Sequence, residues 1–223
     1  MVERVLVVAA HPDDEVLGCG GTMARHSKTG DSVDILLLAD GVSSRASARG
    51  QEKRYEAAQK AAASLGAHPP VLLGMPDNKM DTLSLLEVVQ EIEVVIKKVR
   101  PTIVYTHHGG DLNIDHQITH SAVLTACRPL PGDELNAIFT FETLSSTEWG
   151  AMPKCQQFVP VHFVDIVLTL EQKVAALKYY DDEMRPFPHA RSYEGVTFLA
   201  KLRGIQAGLN AAEAFGVVRQ IWK

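Results

Sequence analysis

Val5-Leu6-Val7-Val8-Ala9 carries no polar residue at any alternate position, so a strand made from it is covered on both faces. Two-sided burial belongs to parallel sheets with helices packed above and below, and it argues against an antiparallel sheet with one solvated face. Ala10-His11-Pro12-Asp13-Asp14-Glu15 follows directly, and the small-residue run Gly18-Cys19-Gly20-Gly21-Thr22 comes next. One imidazole and three carboxylates therefore stand at the C-terminal end of a buried strand, where open α/β sheets bind their ligands.

The pattern repeats along the first half. Helices are expected over Val16–Ser27, Gln51–Leu65, Thr82–Arg100 and Gln117–Cys127, and strands over Val33–Leu38, Val71–Leu73 and Thr102–Tyr105. The most regular of these is Thr82–Arg100, whose Leu85, Leu86, Val89, Ile92, Val95, Ile96 and Val99 recur at mixed spacings of three and four, an amphipathic helix closed by Pro101. The second half alternates less regularly: strands at Ala137–Phe141 and Val161–Val167, a helix at Leu170–Glu183, and a closing helical stretch over Glu194–Phe215. Alternating strands and helices predict an α/β, Rossmann-like three-layer sandwich with a mainly parallel central sheet, in one domain spanning 1–223.

Composition narrows the function classes. The 223 residues include 46% hydrophobic and 22% charged side chains, with a net charge of −5 and no basic tract, so neither nucleic acid nor stable membrane association is expected. The N-terminal apolar run ends in charged residues rather than a small-residue cleavage site, which reads as a strand and predicts a cytoplasmic protein. Cys19, Cys127 and Cys155 are odd in number and widely spaced, and predict neither a disulfide framework nor a CxxC metal site.

A catalytic zinc site takes three protein ligands and leaves a position for water. His11 and Asp14 supply two donors at the first strand's end. His116, in Asp111-Leu112-Asn113-Ile114-Asp115-His116 after the fourth strand, is the best third, because parallel strands converge at their C-terminal ends. Asp13 is then left to act as general base. The competing reading is plainer: an acidic pair on a solvated loop and histidines that only pack.

Residues 10–22 closely resemble the opening motif of the PIG-L (LmbE-like) N-acetylglucosaminyl deacetylases, and Asp111–Gln117 resembles that family's second motif. The likeness extends to Asp40-Gly41, to Ser145-Ser146-Thr147-Glu148-Trp149 and to the tail from Pro188 through Phe215. It implies a zinc-dependent hydrolase, one ion per chain, that removes the acetyl group from a small N-acetylglucosamine-type sugar or conjugate. A site of this type also accepts other divalent ions. By resemblance His11, Asp14 and His116 are the ligands, Asp13 is the base and Asp115 orients an active-site imidazole; the family also implies a homo-oligomer, trimer or hexamer.

One departure matters: where several members have a histidine that stabilises the oxyanion or protonates the amine, this chain has Asn113, an amide that donates a hydrogen bond but is no acid. His189, between prolines in the tail, is the expected substitute imidazole. Arg45 and Arg191 are expected to hold substrate, weighed against solvated surface for Arg45 and a structural carboxylate partner for Arg191; Trp149 is either a sugar platform or a loop anchor. Two other readings remain open at this stage: an amidase for a non-sugar or longer-acyl amide, and a non-catalytic metal- or nucleotide-binding module. The glycines at 18, 20 and 21 lack the dinucleotide spacing.

Overall fold

The computed structural model describes residues 2–41, 48–150 and 157–222, and the side chains of all of these except 48, 49 and 51. The chain runs β1 (Arg4–Ala9), α1 (Asp14–Lys28), β2 (Ser32–Ala39), α2 (Ala48–Leu65), β3 (Val71–Met75), α3 (Leu85–Val99), β4 (Ile103–His107), α4 (Ile114–Ala126), β5 (Ala137–Phe141), β6 (His162–Asp165), α5 (Leu170–Leu177), α6 (Tyr193–Ala207) and β7 (Ala212–Gln220).

The strands form one sheet in the order β3-β2-β1-β4-β5-β7-β6. Pairings among β1 to β5 are parallel, while β7 runs antiparallel to both β5 and β6. The fold is thus the expected mainly parallel α/β sandwich. Its first strand is buried on both faces: Val5, Val7 and Ala9 pack with Leu17, Ala61 and Ala176 from α1, α2 and α5, and Leu6 and Val8 with Val88, Ile92 and Val123 from α3 and α4. After β1 the chain crosses to β2 on one side, and β4 lies on the other, so a crevice opens at the C-terminal ends of β1 and β4.

Local chemistry accounts for the element ends. Ser84 caps α3 with a reciprocal Ser84–Glu87 capping box, and Arg100, at φ 49°, ends the helix in the left-handed conformation before Pro101. The small-residue run lets α1 lie close to the sheet: a Cβ on Gly18 would fall 2.2 Å from the Phe141 ring. Among the described residues no helix is long and apolar enough to cross a membrane.

The closing segment departs from expectation. Helix α6 stops at Ala207, with Gly208 at φ 72°, and 212–220 form β7 rather than more helix. Ala212-Glu213-Ala214 has helix-forming composition, but the slot between β5 and β6 overrides it. Glu213 makes the slot specific. Buried at 5% exposure, it accepts the backbone N–H groups of Gly21 and Thr22 in α1 and pairs at 2.6 Å with Lys173 of α5, itself 4% exposed. The expected helix 170–183 is likewise shorter, with α5 ending at Leu177 and a 3-10 turn covering Lys178–Glu183. Removing one partner of a buried pair strands the other charge, so Lys173→Met is expected to cost about 3–5 kcal/mol in urea unfolding.

Candidate active site

The crevice between β1 and β4 holds the predicted cluster. Asp14, in the first turn of α1, is 1% exposed, and its Oδ2 lies 3.1 Å from both His11 Nδ1 and His116 Nε2. One donor atom from each of these three residues falls within 4.8 Å of the others. His116 arrives by the expected route: Asn113 caps α4 by accepting the Asp115 N–H at 2.8 Å, which sets His116 in the helix's first turn beneath the cleft.

The far nitrogen of each imidazole faces a carboxylate. His11 Nε2 lies 3.0 Å from Asp115 and 3.2 Å from Asp77, and His116 Nδ1 lies 3.1 Å from Asp111. Metal-binding histidines show this arrangement, because the outer carboxylate fixes the ring and raises its basicity. Asp115 is filled in that position, since it also accepts the N–H groups of Asn78 and Met80. Asp77 and Asp115 form a second close group with His11, but through the nitrogen turned away from Asp14. The set His11, Asp14 and His116, all lining the cleft, is the one that fits an ion with a water position to spare.

Electrostatics agree with a dication. Burial disfavours the charged form of His11, yet Asp115, Asp14 and Asp77 raise it to about 10; His116 is likewise opposed by burial and raised to about 9 by Asp14 and Asp111. A field that holds protons on two adjacent imidazoles holds a divalent metal in their place.

Asp13 lines the same cleft but stands outside that donor set. Its Oδ2 accepts from Arg191 Nη1 at 3.0 Å, while Arg191 Nε donates to Ser145 Oγ at 3.0 Å. Burial pushes Asp13 up to about 6, with Arg191 the leading influence against it. Its backbone, at φ 123° and ψ −31°, is strained by about 1–3 kcal/mol for a residue other than glycine. What holds it there is Glu15, whose carboxylate accepts the Asp13 N–H at 3.0 Å and the Tyr180 hydroxyl at 2.7 Å. Glu15, an acidic residue in the first turn of α1, thus locks the turn that presents the base.

The other expected site residues divide. Arg191 and Asn113 line the cleft, of about 170 Å³, together with Asn78 and Arg54. His189 and Trp149 are not among the lining residues; they meet each other edge-on at 5.8 Å, with Trp149 51% exposed. Arg45 lies outside the described residues. A residue outside the expected set also belongs to the site: His107, the last residue of β4, is fully buried. Its Nε2 accepts the Ala10 N–H at 2.9 Å, which places its proton on Nδ1 beside Thr143 Oγ1, and its ring stacks on His116 at 3.9 Å. The available signal was its place directly after an apolar strand. Asp115→Asn, which keeps the shape but weakens the grip on His11, is expected to lower zinc affinity roughly 10- to 100-fold in competition with a chromophoric chelator.

Comparison with known proteins matches this architecture. Residues 6–127 fit the family model described as PIG-L, GlcNAc-PI de-N-acetylase. The "uncharacterized deacetylase YaiS" of Escherichia coli is 31% identical over 179 residues, 78% of this chain and 88% of that protein. The diacetylchitobiose deacetylase of Thermococcus kodakarensis is 35% identical over 200 residues, 82% and 70% of the two chains. Among solved structures, the conserved protein TT1542 of Thermus thermophilus superposes with a TM-score of 0.80 at 25% identity, covering 100% of this chain and 97% of its own. With more than half of its length fitting the family model, the chain belongs to the PIG-L family.

Proposed function

We propose that the protein is a zinc-dependent N-deacetylase that hydrolyses the acetamide of a small N-acetylglucosamine-type sugar or conjugate. The observation that carries this reading is the division of labour in the cleft: three donors converge from His11, Asp14 and His116, while the Asp13 carboxylate beside them is held by Arg191 instead of joining them. A metal bound there supplies the Lewis acidity that polarises an amide carbonyl and acidifies a water. The relatives named as deacetylases support acetyl transfer to water as the reaction, and a cleft of about 170 Å³ suits a short acyl group.

The chain's own groups do the rest. His11 and His116 are kept in fixed orientation by Asp115, Asp77 and Asp111. Asp13 takes the proton of the attacking water as the C–O bond forms, and returns it to the nitrogen as the C–N bond breaks, giving acetic acid, which ionises to acetate in water, and a free amine. Burial keeps its proton affinity close enough to neutrality to run in both directions. The same reading carries a cytoplasmic setting, a homo-oligomeric state and a small N-acetylated sugar as the ligand.

Purified protein is expected to release amine from diacetylchitobiose or N-acetylglucosamine, to lose that activity on dialysis against a chelator, and to regain it with about one zinc per chain. Amine release from non-sugar amides alone would make it an amidase, and metal binding without any amine release a binding module. Asp13→Asn is expected to lower kcat by about 10²–10⁴ with zinc content unchanged; full turnover in that variant would remove Asp13 from the role of base.

A further inference from the structure

Negative charge grows on the carbonyl oxygen during amide hydrolysis, and a positioned donor there contributes much of the rate. Asn113 is the weaker candidate for that work: its Oδ1 caps α4, one Nδ2 hydrogen goes to Asn78 Oδ1 at 3.2 Å, and what remains is a single neutral N–H. Asn78 in turn spends its amide on Asp77 at 2.9 Å. His189 stands outside the cleft lining, with its Nδ1 accepting the Arg191 N–H at 3.1 Å. Two arginines line the cleft among the described residues, and Arg54 is paired with Glu183.

Arg191 is different. Its Nε and Nη1 are fixed by Ser145 and Asp13, while Nη2 has no hydrogen-bond partner among the described residues. Both anchors are strained: among the described residues Asp13 and Ser145 are two of four non-glycine residues with positive φ, at 123° and 64°. Strain at both ends of one side chain is the mark of a position that the surroundings over-determine.

We propose that Arg191 is a catalytic residue whose unpartnered Nη2 donates to the substrate carbonyl oxygen as it becomes an oxyanion, replacing the histidine that Asn113 displaces. The proposal rests on the deacetylase reading of the site. Guanidinium never gives up its proton near neutral pH, so Arg191 stabilises charge without acting as an acid. The two jobs of one histidine are thereby split: Arg191 meets the oxyanion, and the proton for the leaving amine comes from Asp13, where the water left it.

The test uses zinc-loaded wild type, Arg191→Met and Arg191→Lys, with folding checked by thermal unfolding. Rates are compared on the alkaline plateau, where Asp13 is a carboxylate in every variant. Arg191→Met is expected to lower kcat about 10²–10³-fold with KM nearly unchanged, and Arg191→Lys less. Acetate, which carries the charge that the neutral amide lacks, is expected to bind Arg191→Met about ten- to hundredfold more weakly by calorimetry. Wild-type kcat on the plateau would overturn the proposal and reduce Arg191 to a partner that tunes Asp13. A rise in KM at constant kcat would also overturn it, making Arg191 a ground-state clamp. Absence of amine release from wild type would instead overturn the deacetylase reading itself.

Discussion

A single carboxylate oxygen, Asp14 Oδ2, is where the two halves of the parallel sheet are tied together. It takes the His11 N–H at 3.0 Å and faces an imidazole nitrogen from the β1 turn and another from α4. Burying such a charge without partners costs several kcal/mol, so the surrounding chain is obliged to converge on it. Burial would raise Asp14's proton affinity, but His116 and His11 together hold it well below the carboxylate range. His107 contributes twice, through the stack on His116 and through the hydrogen bond that anchors Ala10, the residue preceding His11. One neutral imidazole thereby bridges both motifs.

Around that point the acidic motif is divided by direction. His11 and Asp14 pair with each other in the crevice, Asp13 lines it in the grip of Arg191, and Glu15 points back to hold the bend through Asp13 N–H and Tyr180. Neighbours in sequence do separate work because a left-handed residue sits between them. The strain at Asp13 is offset by four hydrogen bonds around the turn: from Asp13 N to Glu15, from Val16 and Leu17 to Asp13 O, and from Arg191 to its side chain.

Much of this was legible in the chain. The unbroken apolar run of β1 implied a parallel sheet, α3 announced itself by its spacing and the proline that follows it, and His11, Asp14 and His116 follow from placing polar clusters at strand ends. What stayed hidden depends on contacts far apart in sequence. Ala212-Glu213-Ala214 reads as helix until Lys173 and the amides of Gly21 and Thr22 are seen to need Glu213. Arg191 reads equally as clamp or structural partner until Asp13 is found 178 positions away in its reach. No local period encodes either meeting, whereas strand burial and helix caps are local and leave a pattern.

The placement of β7 has a consequence for the order in which the molecule is completed. β6 hydrogen-bonds to the sheet through β7, with which it pairs from His162–Asp165 to Ala212–Phe215. A ribosome delivers β6, α5 and α6 first, so β6 has no strand to pair with until 212–220 emerge, while α5 already has α1, α2 and the β1 face to pack on. The β1–β4 crevice has its imidazoles and Asp14 in the first 116 residues, whereas the cation that holds Asp13 is 178 positions further on, so the base gains its partner only with the last part of the chain.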